Sequence, residues 1–205
     1  MLIFSLAVTA VVSYFLGAIN GAIIMSKLYY KKDIRDYGSG NAGLTNAYRV
    51  FGKKSVALVL LIDIAKAAIS VLLGWLLLGR LGHPFIGKLF AGFFVILGHV
   101  FPVYYGFKGG KGVLCSGILA LMLDWRIGLL CWAVFIVILL ITRYVSLGAI
   151  VSALAFPISI GLFGGGWYLE VVLSSMCAAI LIVKHYQNIG RLIRGKERKF
   201  TIKKE

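Results

Sequence analysis

Apolar runs long enough to cross a bilayer alternate along this chain with short polar stretches, and the spacing predicts a helical membrane bundle. A hydrocarbon core of about 30 Å takes roughly 20 apolar residues in a helix. Residues 2–25 and 55–79 meet that length, and 89–105 falls slightly short of it. Beyond them the apolar sequence is cut by Asp124-Trp125-Arg126, by Arg143 and by Gly164-Gly165-Gly166-Trp167. The cuts leave 113–123, 127–142, 145–163 and 170–183, which makes seven segments. Segment 113–123 is short for a span and fits a tilted, half-buried or re-entrant helix. Backbone polar groups in lipid must be satisfied within the segment itself, so the expected fold is an all-α, polytopic bundle of seven transmembrane helices.

Composition supports this picture. The chain has 205 residues and is 60% hydrophobic, against roughly 45–50% for a soluble domain. Its mean hydropathy is +0.95. The length allows one membrane domain, 1–205, with no room for a soluble second one. No basic residue precedes Lys27, and the first run is too long for a cleaved signal peptide, so it is expected to be a retained span.

The net charge of +15 raises the possibility of nucleic-acid binding. Its distribution argues against that. With seven alternating spans, eighteen Lys and Arg fall on one side and only Arg80, Lys88 and Arg126 on the other, with Lys66 inside a span. This is the positive-inside pattern, and it puts the N-terminus outside and the C-terminus in the cytoplasm. No basic domain or RNA-binding motif is present, so no nucleic-acid partner is expected. Trp75, Trp125 and Trp167 sit near span ends, as interfacial anchors do.

Three polar, glycine-rich blocks interrupt the apolar pattern: 38–46 (GSGNAGLTN), 107–112 (FKGGKG) and 185–191 (HYQNIGR). The topology puts all three on the cytoplasmic side. Glycine beside cations suggests an anion, above all phosphate. In the first block, a helix beginning near Gly43 or Leu44 would set Thr45, Asn46 and Arg49 on one face. In the second, backbone amides with Lys108 and Lys111 form a plausible phosphate cradle. It is not a Walker A loop, because Gly106 and Gly110 have three residues between them and Gly112 follows Lys111. In the third, His185, Asn188 and Arg191 are spaced three apart and line one helical face. The bland alternatives are a capped turn, topology signals at a span end, and a basic helix on anionic lipid, which suits 194–204.

Asp63 and Lys66 lie inside the second span at i, i+3. Charges in lipid need partners, and these two are expected to form a structural ion pair. His99, near a span end, reads as a packed and hydrogen-bonded residue. Cys115, Cys131 and Cys177 lie in apolar runs and read as packing residues. No His/Cys cluster with metal-ligand spacing occurs, so no cofactor or metal is expected.

Taken together, Ser39 to Asn46 with Arg49, Gly98-His99-Val100-Phe101-Pro102 with Phe107 to Val113, and His185-x-x-Asn188-Ile189-x-Arg191-Leu192-x-x-Gly195-x-Glu197 resemble the PlsY family. These are bacterial integral-membrane acyltransferases. The resemblance runs in order along essentially the whole chain. It implies an enzyme that transfers an acyl group from acyl phosphate to glycerol-3-phosphate, giving lysophosphatidic acid and phosphate in the first step of phospholipid synthesis. It also implies a bacterial cell-membrane location, a cytoplasm-facing site, and glycerol-3-phosphate, acyl phosphate and membrane lipids as partners.

By the same resemblance, Ser39, Arg49, Lys108, His185 and Asn188 would be catalytic. Gly40, Asn41, Gly43, Thr45, Asn46, His99, Gly109, Gly110, Lys111 and Gly112 would bind substrate. Asp63, Lys66 and Glu197 would support the structure. The chain departs from the family pattern at Ala42, Leu44, Leu114-Cys115 and Tyr186, where Pro, Ala, Ala-Thr and a basic residue are usual.

Soluble-type glycerolipid acyltransferases pair a His with an Asp five positions later. Here the fifth residue after His83, His99 and His185 is Lys88, Tyr104 and Gly190, so that dyad is absent. The base would be His185 or a substrate phosphate oxygen, and the second is favoured because acyl phosphate is already activated. Two other classes compete. A transporter of an anionic metabolite would use the same glycines and cations but open to both sides. A membrane anchor would use the basic tail and leave the first two blocks unexplained.

Overall fold

The computed structural model describes residues 1–165 and 168–201, so Trp167 and its expected interfacial role lie outside the described residues. Every regular element among them is helical. The chain divides into two compact units, Met1–Ile118 and Leu119 onward.

The first unit contains α1 (Leu2–Ala18), α2 (Gly21–Tyr30), α3 (Leu44–Phe51), α4 (Lys54–Gly79), α5 (Pro84–Val100) and the start of α6 (Val113–Leu123). Short 3-10 turns occupy Ile34–Asp36 and Val103–Tyr105. α1, α4 and α5 pack together, and α2 and α3 lie against α4. Close backbone approach is built in by glycine. A Cβ on Gly74 would run into the Gly87 carbonyl, and one on Gly98 into the Tyr14 carbonyl. Such small-residue contacts let helices associate in lipid, where burying apolar surface gives no drive of its own.

The second unit contains the rest of α6, then α7 (Trp125–Thr142), α8 (Val145–Phe163), α9 (Tyr168–Lys184) and α10 (Tyr186–Ile193). α8 packs against both α7 and α9. Asp124 caps α7 by accepting the Arg126 amide at 2.8 Å. α10 ends in a Schellman motif: Gly195 has φ +64°, its amide bonds Leu192 O at 3.0 Å, and the Lys196 amide bonds Arg191 O at 2.8 Å.

Segments 113–123 and 145–163 form helices with the expected bounds, and 55–79 begins one residue earlier as α4. Segments 127–142 and 170–183 each begin two residues earlier, as α7 and α9, so that Trp125 and Arg126 lie inside a helix and do not interrupt one. Two further expectations change. The run 2–25 is broken at Ile19-Asn20, because the Asn20 side chain leaves the apolar pattern to cap α2, accepting the Ile23 amide at 3.0 Å. The third segment starts at Pro84, not 89, since proline suits a first helical turn and Lys88 does not end a helix. The helix itself stops at Val100, ahead of the Val103–Tyr105 turn.

Five helical stretches are long and apolar enough to cross a membrane. α9 and α10 make a sixth if their 59° bend belongs to one span, while α6 has 11 residues. Lipid-facing side chains are plentiful, with Leu61 on α4, Leu140 on α7 and Ile158 on α8 all more than 60% exposed. The three cysteines are buried and unpaired.

Candidate functional site

The first polar block is anchored from below. Ile34, Ala42 and Ala47 are buried with Ala22, Ile23, Met25 and Val59 in one apolar cluster, and Tyr30 stacks on Phe51 at 4.1 Å beside it. Burying a side chain the size of Ile34 is worth about 1.5–3 kcal/mol. α3 begins where expected, with Gly43 as its N-cap.

Asn46 organises the loop above this cluster. It is 1% exposed. Its Oδ1 accepts the Ser39 amide at 2.9 Å, and its Nδ2 donates to Tyr37 O and Asn41 O, both at 3.0 Å. Asn46 is therefore committed to the backbone of its own loop. Gly38 and Gly40 take φ of +65° and +71°, the left-handed region that the tight turn requires. Ser39 and Gly40 are exposed, and Asn41, Gly43, Thr45 and Arg49 are half-buried.

The second block is folded back on α5. The Gly109 amide bonds Val100 O at 3.3 Å, and the Gly110 amide bonds His99 O at 3.1 Å. These two amides are used internally, so they do not form the cradle expected from the glycines. The glycines answer a packing need instead. A Cβ on Gly109 would strike the His99 carbonyl and Pro102, and one on Gly110 would strike His99 Nε2 and, at 2.6 Å, the Ala42 carbonyl oxygen. Gly112 is buried with φ +82°. Lys108 is exposed and Lys111 half-buried.

The first two blocks are thereby brought together. Gly110 abuts Ala42. Asn20 Nδ2 donates to the Ala42 carbonyl at 3.1 Å. Arg35 bridges the rest: its Nη1 donates to Tyr105 O at 2.7 Å and to Lys108 O at 3.4 Å. Its Nε and Nη2 grip the Asp33 carboxylate at 2.9 and 2.7 Å. That bidentate hydrogen bonding from Arg35 outweighs partial burial and holds the Asp33 carboxyl down at about 2, while Asp33 raises Arg35. Asp33, Arg35 and Asn20 were not singled out from the sequence. Residues two apart share no helical face, so Asp33 and Arg35 leave no periodic trace. Asn20 did carry a signal, as a lone amide before glycine in an apolar run.

Beneath the blocks, Asp63 and Lys66 are paired as expected, Nζ to Oδ1 at 2.9 Å, and are 2% and 3% exposed. Lys66 Nζ also bonds Gly17 O at 3.0 Å and Ile19 O at 2.6 Å, carbonyls at the end of α1. It lies 2.8 Å from His99 Nδ1. Asp63 Oδ1 further accepts the Gly21 amide at 3.3 Å.

The third block lies in the second unit and is assembled around Glu197. Its Oε1 accepts from Ser146 Oγ at 2.7 Å and Asn188 Nδ2 at 2.5 Å, and its Oε2 accepts from Arg191 Nε at 2.6 Å. Partial burial pushes the Glu197 carboxyl up, but these three donors and the Arg191 charge together bring it below its ordinary value. Glu197 thus ties α8, α10 and the tail together. Ser146, not anticipated, joins α8 to the tail, and the Phe200 amide adds a bond to Arg143 O at 2.7 Å. His185 stands at the α9–α10 bend, 3% exposed, with Nδ1 2.8 Å from Leu181 O. A carbonyl only accepts, so this Nδ1 carries a proton.

Comparison with known proteins adds to this geometry. Residues 7–195 match the family model described as glycerol-3-phosphate acyltransferase. A glycerol-3-phosphate acyltransferase of Thermoanaerobacter pseudethanolicus is 38% identical over 197 residues, covering 96% of each chain. One from Staphylococcus aureus is 40% identical over 196 residues, covering 94% of this chain and 96% of the relative. Among solved structures, PlsY, an integral membrane glycerol 3-phosphate acyltransferase, matches in its glycerol 3-phosphate form with a TM-score of 0.86, 31% identity and 96% coverage of each chain. Its lysophosphatidic acid form matches with a TM-score of 0.83 and 30% identity, covering 97% of this chain and 96% of that one.

Proposed function

The chain is a multi-pass bacterial membrane protein of the glycerol-3-phosphate acyltransferase family, and from that premise we propose that it transfers an acyl group from acyl phosphate to glycerol 3-phosphate. The observation that carries the reading is the convergence of the first two polar blocks, tied by Arg35 and by Gly110 against Ala42. In this reading Ser39, Arg49, Lys108 and Lys111 act from the two blocks so joined. Those cations offset the charge of two phosphate-bearing substrates, and the joined blocks orient them.

In the proposed reaction the primary hydroxyl oxygen of glycerol 3-phosphate attacks the acyl carbonyl carbon. The bond from that carbon to the phosphate oxygen breaks. The products are lysophosphatidic acid and inorganic phosphate, and the hydroxyl proton passes to a phosphate oxygen. Phosphate is already a good leaving group, so the protein's share is orientation and charge neutralisation. His185 and Asn188 serve as polar active-site residues in this reading, and Glu197 holds Asn188 through the bond described above. A bell-shaped pH profile whose basic limb vanishes in His185→Ala would instead make His185 the base.

The same reading takes the chain as one acyltransferase domain with seven spans, its N-terminus outside and the polar blocks in the cytoplasm. The charge asymmetry supports that orientation. Reporter fusions at the two termini test it, and a cytoplasmic N-terminus would reverse it.

The deciding experiment supplies detergent-solubilised protein with glycerol 3-phosphate and either acyl phosphate or acyl-CoA. Lysophosphatidic acid from acyl phosphate alone is the expected result. Product from acyl-CoA alone would change the donor, and no product from folded protein would sink the reading.

A further inference from the structure

Four polar atoms surround the Lys66 side-chain nitrogen: Gly17 O at 3.0 Å, Ile19 O at 2.6 Å, Asp63 Oδ1 at 2.9 Å and His99 Nδ1 at 2.8 Å. The two carbonyls and the carboxylate can only accept. Three such acceptors call for three N–H groups, which only the protonated amine provides. An ammonium has no lone pair, so the ring nitrogen that faces it must present its own, to an N–H shared with one of the oxygens. A proton on Nδ1 would set N–H against N–H, and Asp63 Oδ1, 3.8 Å away, is too far to take it in a hydrogen bond. His99 is therefore a neutral ring with its proton on Nε2. That edge meets Gly110 on the face where the Ala42 carbonyl oxygen also lies.

We infer that the buried Asp63–Lys66 pair is a positioning device that locks His99 as the Nε2–H tautomer, and that this N–H holds the 108–112 turn against the first polar block. The link to phosphate binding rests on the acyl-transfer reading; the tautomer and the turn do not. The pair reaches the surface chemistry through one ring, and His99 is a positioning residue between them. This gives the intramembrane charges a role beyond neutralising one another. It also explains why glycine is needed at 110, since any side chain there would displace the ring edge.

Two substitutions separate the two edges of the ring. In His99→Asn, the amide oxygen replaces Nδ1 as the acceptor for Lys66, and nothing replaces Nε2–H. In His99→Gln, the longer amide places an N–H near the Nε2 position. Nitrogen-15 NMR of histidine-labelled wild-type protein reads the tautomer directly, with the His99 signals assigned by their loss in either variant.

The expected result is a bare Nδ1 and a protonated Nε2 on His99, with the bias lost in Lys66→Met. His99→Asn should raise KM for glycerol 3-phosphate about tenfold with kcat changed less, as for one lost hydrogen bond. Trypsin should also cut after Lys108 and Lys111 faster in that variant. His99→Gln should recover most of both effects. A protonated Nδ1 overturns the inference, and so does His99→Asn with wild-type cleavage, or Asn and Gln variants impaired alike. Wild-type protein without glycerol 3-phosphate acylation, but with the expected NMR and cleavage, overturns the acyl-transfer reading and leaves the positioning inference standing.

Discussion

Two ion pairs, one in each unit, hold their charges in different ways. In the first, Asp63 and Lys66 are sealed among helices at 2% and 3% exposure, and their remaining bonds go to backbone and to His99. In the second, the Glu197 side chain is 8% exposed, but its partner Arg191 keeps a third of its side chain exposed. The histidines differ in the same sense. His99 turns an unprotonated Nδ1 toward an ammonium, whereas His185 turns a protonated Nδ1 toward the Leu181 carbonyl. The contrast shows how the surroundings of a charge set the cost of disturbing it. Solvent reaches the Arg191 side of the Glu197 pair and neither side of the Asp63–Lys66 pair.

The largest effect should come from Lys66→Met, which strands the Asp63 carboxylate. It should destabilise the protein by about 3–5 kcal/mol, as breaking buried pairs does. Thermal unfolding in detergent measures this, and adding Asp63→Asn should recover much of the loss. A single variant as mild as a Glu197 variant would erase the contrast between the units.

Next in size is Glu197→Gln, which removes the charge that Asn188 and Arg191 hold and should cost about 1.5–3 kcal/mol. Its pH dependence has a definite sign. The native carboxyl lies below its ordinary value of 4.5, so the stabilisation is present above that pH and is lost as pH falls below it. Acid unfolding of the wild type should show this loss, and Glu197→Gln should flatten it.

Paired glycine substitutions sharpen the comparison further. Gly110→Ala drives a methyl into His99 Nε2 and should cost about 1–3 kcal/mol as an overpacking change, together with most activity. Gly190→Ala, in α10, has Arg194 Nη2 as its nearest neighbour at 3.4 Å and should stabilise by about 0.5–1 kcal/mol through helix propensity. Equal responses at the two positions would mean that the 108–112 turn is not packed as described.

The smallest effect belongs to Asp33. Its carboxyl is held at about 2 against an ordinary 3.8, so its contribution is complete above pH 3.8 and disappears as pH falls through about 2. Asp33→Asn should remove that acid-sensitive step from hydrogen exchange in residues 33–37, with little change at neutral pH beyond a looser Arg35 clamp.

Much of the fold was legible in the chain. The apolar runs located α4, α6 and α8 nearly to the residue, because length and hydropathy suffice where a helix is the only way to satisfy backbone groups in lipid. The break at Ile19-Asn20 was legible only in part: Asn20 stands out as a lone amide in an apolar run and caps α2, but the α4 ammonium that takes the Gly17 and Ile19 carbonyls at the break lies 49 and 47 residues away along the chain. The candidate site was legible as residue types. The glycine and cation content of the blocks pointed to phosphate chemistry, and the order of the motifs pointed to the family that the comparisons show.

What the sequence determined by itself is the class of molecule, the all-α bundle, the i, i+3 ion pair and the motifs that mark the family. These follow from local rules of hydropathy, helix spacing and motif order. Tertiary structure alone decided what each polar group is used for. It spent the Gly109 and Gly110 amides on α5, committed Asn46 to its own loop, recruited Asp33 and Arg35 to join two blocks, and chose a tautomer for His99. Hydrogen-bond donors are satisfied by whatever acceptor packing brings within about 3 Å, and separation along the chain does not encode that distance.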